Sequence, residues 1–225
     1  EIRLSLVGSE MCIRDRGWIS PQAMKTGIAV TVTLACLIGC TLLLFAGWEL
    51  IIIGALCVLF AFLYTTGPYP LSYNGWGDVL VIIFFGFVPV GGTYYVQALT
   101  WTPDVTIASF ICGLLIDTLL VVNNYRDREA DARSGKRTVI VRFGEKFGRY
   151  FYLLLGISAS LLCLYFLREG HIYAALLPQL YLVPHVLTWR RMVKIHSGKK
   201  LNSILGETSR NMLFMGILLA IGMIL

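Results

Sequence analysis

The residues best suited to chemistry lie in one polar stretch, 123–138, which directly follows an apolar run. If the helix of that run continues, Asn124, Asp127 and Asp131 fall within one narrow arc, with Asn123 at its edge. Asp127 and Asp131 are like charges one turn apart, an arrangement that costs about 0.2–0.5 kcal/mol even in water. A cation would relieve this repulsion, and two carboxylates with two amides offer the oxygen ligands that a hard ion such as Mg²⁺ prefers. The spacing therefore predicts a magnesium site.

Basic side chains surround these acids, and a site with both charges can hold an anion through a metal while clamping its outer oxygens. The bases are Arg126, Arg128, Arg133, Lys136 and Arg137. The same residues also fit a solvated, positively charged loop that caps a membrane helix. Spacing alone leaves both interpretations open.

The composition indicates a polytopic membrane protein. The chain has 225 residues, of which 57% are hydrophobic and only 14% are charged, and its mean hydropathy is +0.74. Soluble domains carry about 25% charged residues. The net charge of +6 then concerns topology and anionic lipid head groups, and no nucleic-acid partner is expected.

Seven apolar runs are separated by polar or Gly- and Pro-containing turns, and most are near the roughly 20 residues that a helix needs to cross a bilayer. The runs are 24–46, 50–64, 79–99, 105–122, 147–167, 172–189 and 207–225. They predict an all-α bundle with seven transmembrane helices. The first is expected to begin at Ser20-Pro21, with Ser as N-cap and Pro at the first helical position.

The basic residues after position 17 concentrate at Lys25, in residues 126–149 and in residues 190–200. With seven helices and short turns, these three segments fall on one side, which the positive-inside rule makes cytoplasmic. We therefore expect a multi-pass protein of the inner (plasma) membrane, with the polar stretch in its cytoplasmic loops.

The loop 65–77 falls on the same face, beside the acidic stretch. With its flanking residues it provides Tyr64, Tyr73 and Asp78. These side chains could cap a cleft and bind a substrate, with Asp78 able to accept a proton. The other interpretation is an interfacial turn whose Tyr and Trp side chains belong to the aromatic belt.

Asp117 lies inside the fourth apolar run, on the same arc as Asn124 and Asp131. A carboxylate in mid-bilayer costs roughly 2.5–3.5 kcal/mol on insertion scales, so this side chain should face the interior of the bundle. It is either ionised and part of the metal site, or protonated and hydrogen-bonded to a neighbouring helix.

Residues 1–16 do not fit the pattern of the remaining chain. They are mixed and polar, lack the apolar core of a signal peptide, and resemble translated adapter sequence. We expect 1–16 to be a non-native segment and 17–225 to be a membrane domain that is incomplete at its N-terminus.

The pattern N-N-x-x-D-x-x-x-D-x-x-x-G-K-x-T over residues 123–138 resembles an Asp-rich motif of the UbiA superfamily of intramembrane aromatic prenyltransferases. The pattern G-P-Y-P-L-x-Y-x-G-x-G-D over residues 67–78 is similar to the 1,4-dihydroxy-2-naphthoate branch in particular. Gly67 stands where other branches carry the Lys of a Tyr-x-x-Lys motif, which argues against the hydroxybenzoate branch.

The resemblance implies nine helices around a central cavity, with two Asp-rich motifs facing each other on the cytoplasmic side. Residues 123–138 resemble the second motif, and the first is expected upstream of Gly17. Seven predicted helices plus two upstream give the nine of the family. The resemblance also implies that residues 17–225 alone are inactive.

The implied reaction transfers the prenyl group of a polyprenyl diphosphate to 1,4-dihydroxy-2-naphthoate, with decarboxylation, in menaquinone biosynthesis. Asp127 and Asp131 would be the catalytic acids and would hold Mg²⁺ with Asn123 and Asn124. Substrate-binding residues would be Arg126, Arg128, Lys136, Arg137, Tyr64, Tyr73, Asp78 and Asp117. Two alternatives stay open: another prenyltransferase branch with a different acceptor, and a non-enzymatic membrane transporter or scaffold.

Overall fold

The computed structural model describes residues 19–225, and within this range every regular element is helical. The described residues form seven helical segments: α1 Pro21–Leu44, α2 Glu49–Thr65, α3 Gly77–Ala98, α4 Pro103–Arg133, α5 Val139–Leu167, α6 (Ile172–Leu176, Leu177–Tyr181 and Leu182–Ile195 in direct succession) and α7 Lys199–Ile224. The predicted all-α architecture is confirmed. The predicted non-native segment 1–16 lies outside the described residues.

Five of these helices are long and apolar enough to cross a membrane: α1, α3, α4, α5 and α7. Helix α2 is apolar but has only 17 residues, and α6 is interrupted by a 3₁₀ segment at Leu177–Tyr181. Large apolar side chains are exposed along most of these segments, as expected of surfaces that face lipid. The chain is a multi-pass membrane protein.

The chain divides into two compact units, residues 1–70 and residues 71–225. The described part of the first unit contains α1 and α2, neither of which has a fully buried residue. Helix α1 begins as predicted, because the Ser20 side chain accepts a hydrogen bond from the Ala23 amide at 3.1 Å and Pro21 occupies the first turn.

Helix α4 is the centre of the second unit and packs against both α3 and α5. Two glycines allow its close contact with α3. A Cβ atom on Gly86 would lie 2.5 Å from the Ser109 carbonyl oxygen, and one on Gly113 would lie 3.0 Å from Ile82 Cα. The two backbones therefore approach more closely than larger residues would allow, as is common between membrane helices.

A buried histidine links α5 and α6. His185 Nε2 donates to the Leu153 carbonyl (3.2 Å), so Nδ1 accepts from the Tyr181 hydroxyl (2.9 Å). Gly156 leaves room for the ring, since a Cβ atom there would lie 2.2 Å from Nε2. These bonds satisfy polar groups inside an apolar bundle.

The boundaries of α4 and α5 differ from the apolar runs. Helix α4 continues to Arg133, which confirms that its helix runs into the polar stretch. Helix α5 begins at Val139, because the Thr138 side chain caps it by accepting from the Val141 amide at 3.2 Å. A kink at Gly144 (φ +87°) separates residues 139–143 from the remainder of the helix, so α5 begins before the predicted run at 147.

Candidate active site

The acidic residues lie on the last three turns of α4. Asn124 is 4% exposed, while Asn123, Asp127 and Asp131 are half-buried. Because the helix is continuous through Arg133, the predicted arc of Asn124, Asp127 and Asp131 is present.

Arg126 connects two residues of this cluster to a neighbouring helix. Its Nε and Nη2 atoms donate to the two carboxylate oxygens of Asp127 at 2.8 and 2.6 Å. Nη2 also donates to Asn123 Oδ1 at 2.7 Å, and Nη1 donates to Asn202 Oδ1 at 2.9 Å. The guanidinium thus neutralises Asp127 and ties α4 to the first residues of α7.

Lys136 forms an ion pair with the second carboxylate, that of Asp131. Its Nζ lies 3.3 Å from Asp131 Oδ2, and its amide donates to the Asp131 carbonyl at 2.9 Å. Gly135 permits this reversal of the chain, since its φ of +77° is rarely adopted by other residues. Each acid therefore has its own cation within ion-pair distance.

Residues 71–76, which we call the cap loop, lie against this turn. The Arg137 amide donates to the Tyr73 carbonyl at 2.8 Å, and Arg142 Nη2 donates to the Asn74 carbonyl at 2.7 Å. The predicted proximity of this loop and the acidic stretch is confirmed. Tyr73 is 43% exposed on the cap loop, whereas Tyr64 lies on α2 in the other compact unit.

Arg128 is not part of the cluster. Its Nη2 lies 3.2 Å from Glu145 Oε2, its Nη1 donates to the Tyr125 carbonyl, and its guanidinium stacks on the Tyr125 ring. The Tyr125 hydroxyl donates to Glu145 at 2.9 Å and accepts from Arg149 at 3.0 Å. This network joins α4 to α5. Arg126 and Arg128 are each one position, or about 100°, from Asp127 on the helix, so periodicity alone did not show which of them pairs with it.

Asp78 and Asp117 meet where α3 packs on α4. Asp117 is completely buried and Asp78 is 7% exposed. Their carboxyl groups interact with each other. No described N–H or O–H group donates to Asp78 Oδ1 or to either carboxyl oxygen of Asp117. Asp117 is ten residues before Asp127, which places it about 15 Å along the helix from the acidic cluster.

The oxygen ligands of the cluster fit a hard divalent cation, but one helix supplies only part of a coordination shell. Within residues 19–225 no group of three or more His, Cys, Asp or Glu residues is arranged to hold a metal. The available set is the two carboxylates with the neighbouring Asn amides, so further oxygens must come from a bound anion, water or another segment.

Comparison with known families decides between the interpretations. The model of the UbiA prenyltransferase family matches residues 13–222. The chain belongs to the UbiA prenyltransferase family. Its membership confirms the resemblance seen in the two motifs and favours a prenyltransferase over a transporter or scaffold.

Several UbiA-family relatives carry the name 1,4-dihydroxy-2-naphthoate octaprenyltransferase. The protein of Escherichia coli is 38% identical over 156 residues, covering 67% of this chain and 50% of the relative. That of Mycobacterium leprae is 37% identical over 161 residues, covering 71% and 52%. The chain thus spans about half the length of these curated relatives. No solved structure gives a significant match.

Sequence reasoning missed Asn202 and Glu145. Asn202 is the first α-helical residue of α7, after the 3₁₀ turn at Lys199–Leu201, and is 76 residues from its partner Arg126. Nothing in the local sequence around Asn202 indicates this contact. Glu145 follows the kink at Gly144 and lies just before the apolar run predicted to begin at 147. The sequence therefore placed it in the preceding loop, whereas it lies on α5.

Proposed function

We propose that the protein to which this chain belongs transfers a polyprenyl group from a polyprenyl diphosphate to 1,4-dihydroxy-2-naphthoate. The naphthoate loses its carboxylate as carbon dioxide, diphosphate leaves, and the product belongs to menaquinone biosynthesis. The observation that carries the proposal is the pair Asp127 and Asp131 on one face of α4, each within ion-pair distance of a cation. The names of the relatives support the choice of substrates.

Asp127 and Asp131 are proposed to hold Mg²⁺, with amide oxygens from Asn123 and Asn124 as further candidate ligands. When bound, the ion would act as a Lewis acid toward the charge that develops on the leaving diphosphate. Asp127 is at present neutralised by Arg126 and Asp131 by Lys136. Metal binding would release these two side chains for the substrate.

Arg126, Lys136 and Arg137 are proposed to bind the outer oxygens of the diphosphate. A guanidinium offers two parallel N–H donors to a phosphate, and an ammonium offers a point charge. Arg126 pairs with Asp127 and Lys136 pairs with Asp131 one helical turn further along, and Arg137 follows Lys136, so one anion could reach all three. The apolar helices below this turn would keep water from the allylic carbon until the electron-rich ring attacks it.

The aromatic side chains Tyr73 and Tyr64 are proposed to contact the substrates. We assign a different role to three residues that were also expected to do so. Arg128 is bound to Glu145 on another face, and we propose that it holds α4 against α5. Asp78 and Asp117 are buried where α3 packs on α4, and we propose that they act on the reaction without contacting a substrate.

We propose that the loops carrying the site are cytoplasmic and that the membrane is the inner membrane. The bases around the site support this orientation, because Lys and Arg are retained on the cytoplasmic side. A cytoplasmic site would also receive a soluble naphthoate from the side on which Mg²⁺ is available.

The proposal is tested with Asp127→Ala and Asp131→Ala in the full-length membrane protein. Each change should abolish transfer of radiolabelled prenyl groups to dihydroxynaphthoate, because one carboxylate cannot hold the metal–diphosphate complex. Glu129→Ala is the matched control, since Glu129 is an exposed acid on the same turns of α4. Turnover close to that of the wild type in Asp131→Ala at limiting Mg²⁺ would exclude the metal role.

We expect residues 17–225, expressed alone, to insert into membranes but to form no product. Helices satisfy their own backbone hydrogen bonds, so insertion needs no further segment. This range carries a single Asp-rich motif, whereas the proposed mechanism needs metal ligands on both sides of the diphosphate. The comparison is made with the full-length protein in the same vesicles. Mg²⁺-dependent product from residues 17–225 would show that one motif is enough.

A further inference from the structure

We propose that Asp78 and Asp117 share one proton and that this carboxyl pair positions the cap loop over the diphosphate-binding turn. The two aspartates would thus be positioning residues for the reaction and would not contact the substrates. The inference rests on the proposed function for its kinetic consequences, but its structural part can be tested separately.

The burial of the pair opposes a negative charge on both carboxyl groups. Both side chains are more than nine-tenths buried, and no described donor reaches Asp78 Oδ1 or the two oxygens of Asp117. Two ionised carboxylates in contact would repel each other strongly in a medium of low dielectric constant. With one proton between them, the protonated carboxyl donates to the other, and the pair carries a single negative charge.

The pair connects directly to the cap loop. Asp78 is the second residue of α3, and the cap loop ends two residues before it at Trp76. The backbone of the loop is closed by the Trp76 amide, which donates to the Leu71 carbonyl at 3.2 Å. Fixing Asp78 on α4 therefore fixes one end of this short, closed segment.

The other side of the cap loop is bonded to the turn that carries the proposed diphosphate ligands. The Tyr73 carbonyl accepts from the Arg137 amide, which immediately follows Lys136. The Asn74 carbonyl accepts from Arg142. The cap loop thus bridges the carboxyl pair on one side and the turn 134–138 on the other, so a shift of Asp78 would be passed to Lys136 and Arg137.

The local backbone does not by itself hold Asp78 in place. Only five residues, Gly77–Val81, form regular α-helix before α3 becomes π-helical at Ile82–Gly91. A π-helical segment of this length is rare. The close backbone contact of α3 with α4 begins at Ile82, which lies against Gly113 one turn beyond Asp78. The carboxyl pair extends this contact toward the cap loop.

A direct chemical role of the pair is disfavoured by its location. Asp117 is about 15 Å along α4 from Asp127, beyond the reach of a metal ligand. It is also completely buried in the described structure. An effect of the pair on catalysis must therefore pass through the cap loop.

The test uses the full-length protein and compares two replacements of Asp117. Asp117→Asn keeps an N–H donor that faces the Asp78 carboxylate, so KM for prenyl diphosphate and kcat should stay close to the wild type. Asp117→Ala leaves one buried carboxylate without a partner, and KM for prenyl diphosphate should rise about tenfold or more. The KM for dihydroxynaphthoate should change less, because the turn 134–138 binds the diphosphate. Glu129→Ala again serves as the control.

A second measurement does not depend on activity. Ser72 in the cap loop is 8% exposed, so a single cysteine placed there by Ser72→Cys should react slowly with a maleimide. Asp117→Ala should speed this reaction, and Asp117→Asn should not. Each variant is first checked for membrane insertion and for a single detergent-soluble species.

Three outcomes would overturn the inference. Loss of activity in Asp117→Asn with unchanged labelling of residue 72 would show that an ionisable carboxyl acts directly in the reaction. Unchanged KM and labelling in Asp117→Ala would show that the pair positions nothing. Failure of both replacements to insert would show a role in folding alone. If the wild type does not prenylate dihydroxynaphthoate, the proposed function fails, and the labelling comparison still tests the carboxyl pair.

Discussion

At the scale of single residues, Arg126 is the best-connected side chain of the candidate site. Its five N–H donors reach both oxygens of Asp127, the Asn123 amide oxygen and the Asn202 amide oxygen. It therefore holds two proposed metal ligands in a fixed relation and joins them to α7. In the proposed reaction the Arg126 guanidinium would leave Asp127 and bind the diphosphate. Its planar, forked geometry matters because it can donate two parallel hydrogen bonds to a phosphate.

Arg126→Lys is expected to weaken prenyl diphosphate binding while the protein still folds. A lysine keeps the charge but cannot donate to Asp127, Asn123 and Asn202 together, and it cannot bind a phosphate through two parallel bonds. We expect KM for prenyl diphosphate to rise about tenfold in steady-state assays. Arg133→Lys, at the exposed end of α4, is the matched control. An equal effect of both changes would show that only local positive charge is needed.

Most of the site was predictable from the sequence at this scale, because its central residues lie within one helix and the following turn. Periodicity placed Asn124, Asp127 and Asp131 together, and Lys136 is only five residues further. The partners contributed by other helices were not predictable. Asn202 has no local signal, and its contact with Arg126 depends on how α7 packs against α4.

At the scale of elements, the close approach of α3 and α4 brings Asp78 to the level of Asp117. Composition predicted that both runs are helical. It could not show that α3 changes to a π-helix at Ile82–Gly91, because that run is uniformly apolar and changes of hydrogen-bond register leave no trace in hydropathy. The start of α5 was also hidden, since Gly144, Glu145 and Lys146 separate its first turn from the apolar run that begins at 147.

Gly86→Ala is expected to destabilise the α3–α4 contact. The added methyl group would lie 2.5 Å from the Ser109 carbonyl oxygen, a backbone atom that cannot move without shifting α4. Such overpacking typically costs about 1–3 kcal/mol. The midpoint of thermal unfolding in detergent should therefore fall. Gly92→Ala is the matched control, because a Cβ atom on Gly92 in the same helical segment contacts nothing within 4 Å. Equal midpoints for both variants would contradict the close approach.

At the scale of the whole molecule, charge sets the orientation that places the acidic cluster on one face of the membrane. An apolar helix can cross a bilayer in either direction, so the orientation is set mainly by Lys and Arg in the connecting turns. The turn between α4 and α5 is rich in these residues, and the turn between α5 and α6 contains only Arg168. Both turns belong to the same compact unit and are separated by a single helix.

Single cysteines in these two turns test the orientation directly. Gly135→Cys should react with a membrane-impermeant maleimide only from the cytoplasmic side, and Gly170→Cys only from the external side. Both glycines have positive φ and open space around Cβ, so the two replacements are matched in backbone strain. The measurement is made on intact cells and on inverted vesicles, with native cysteines replaced. Labelling of Gly170→Cys from the cytoplasmic side would reverse the topology, and the acidic cluster would then face away from the compartment that supplies Mg²⁺ and the naphthoate.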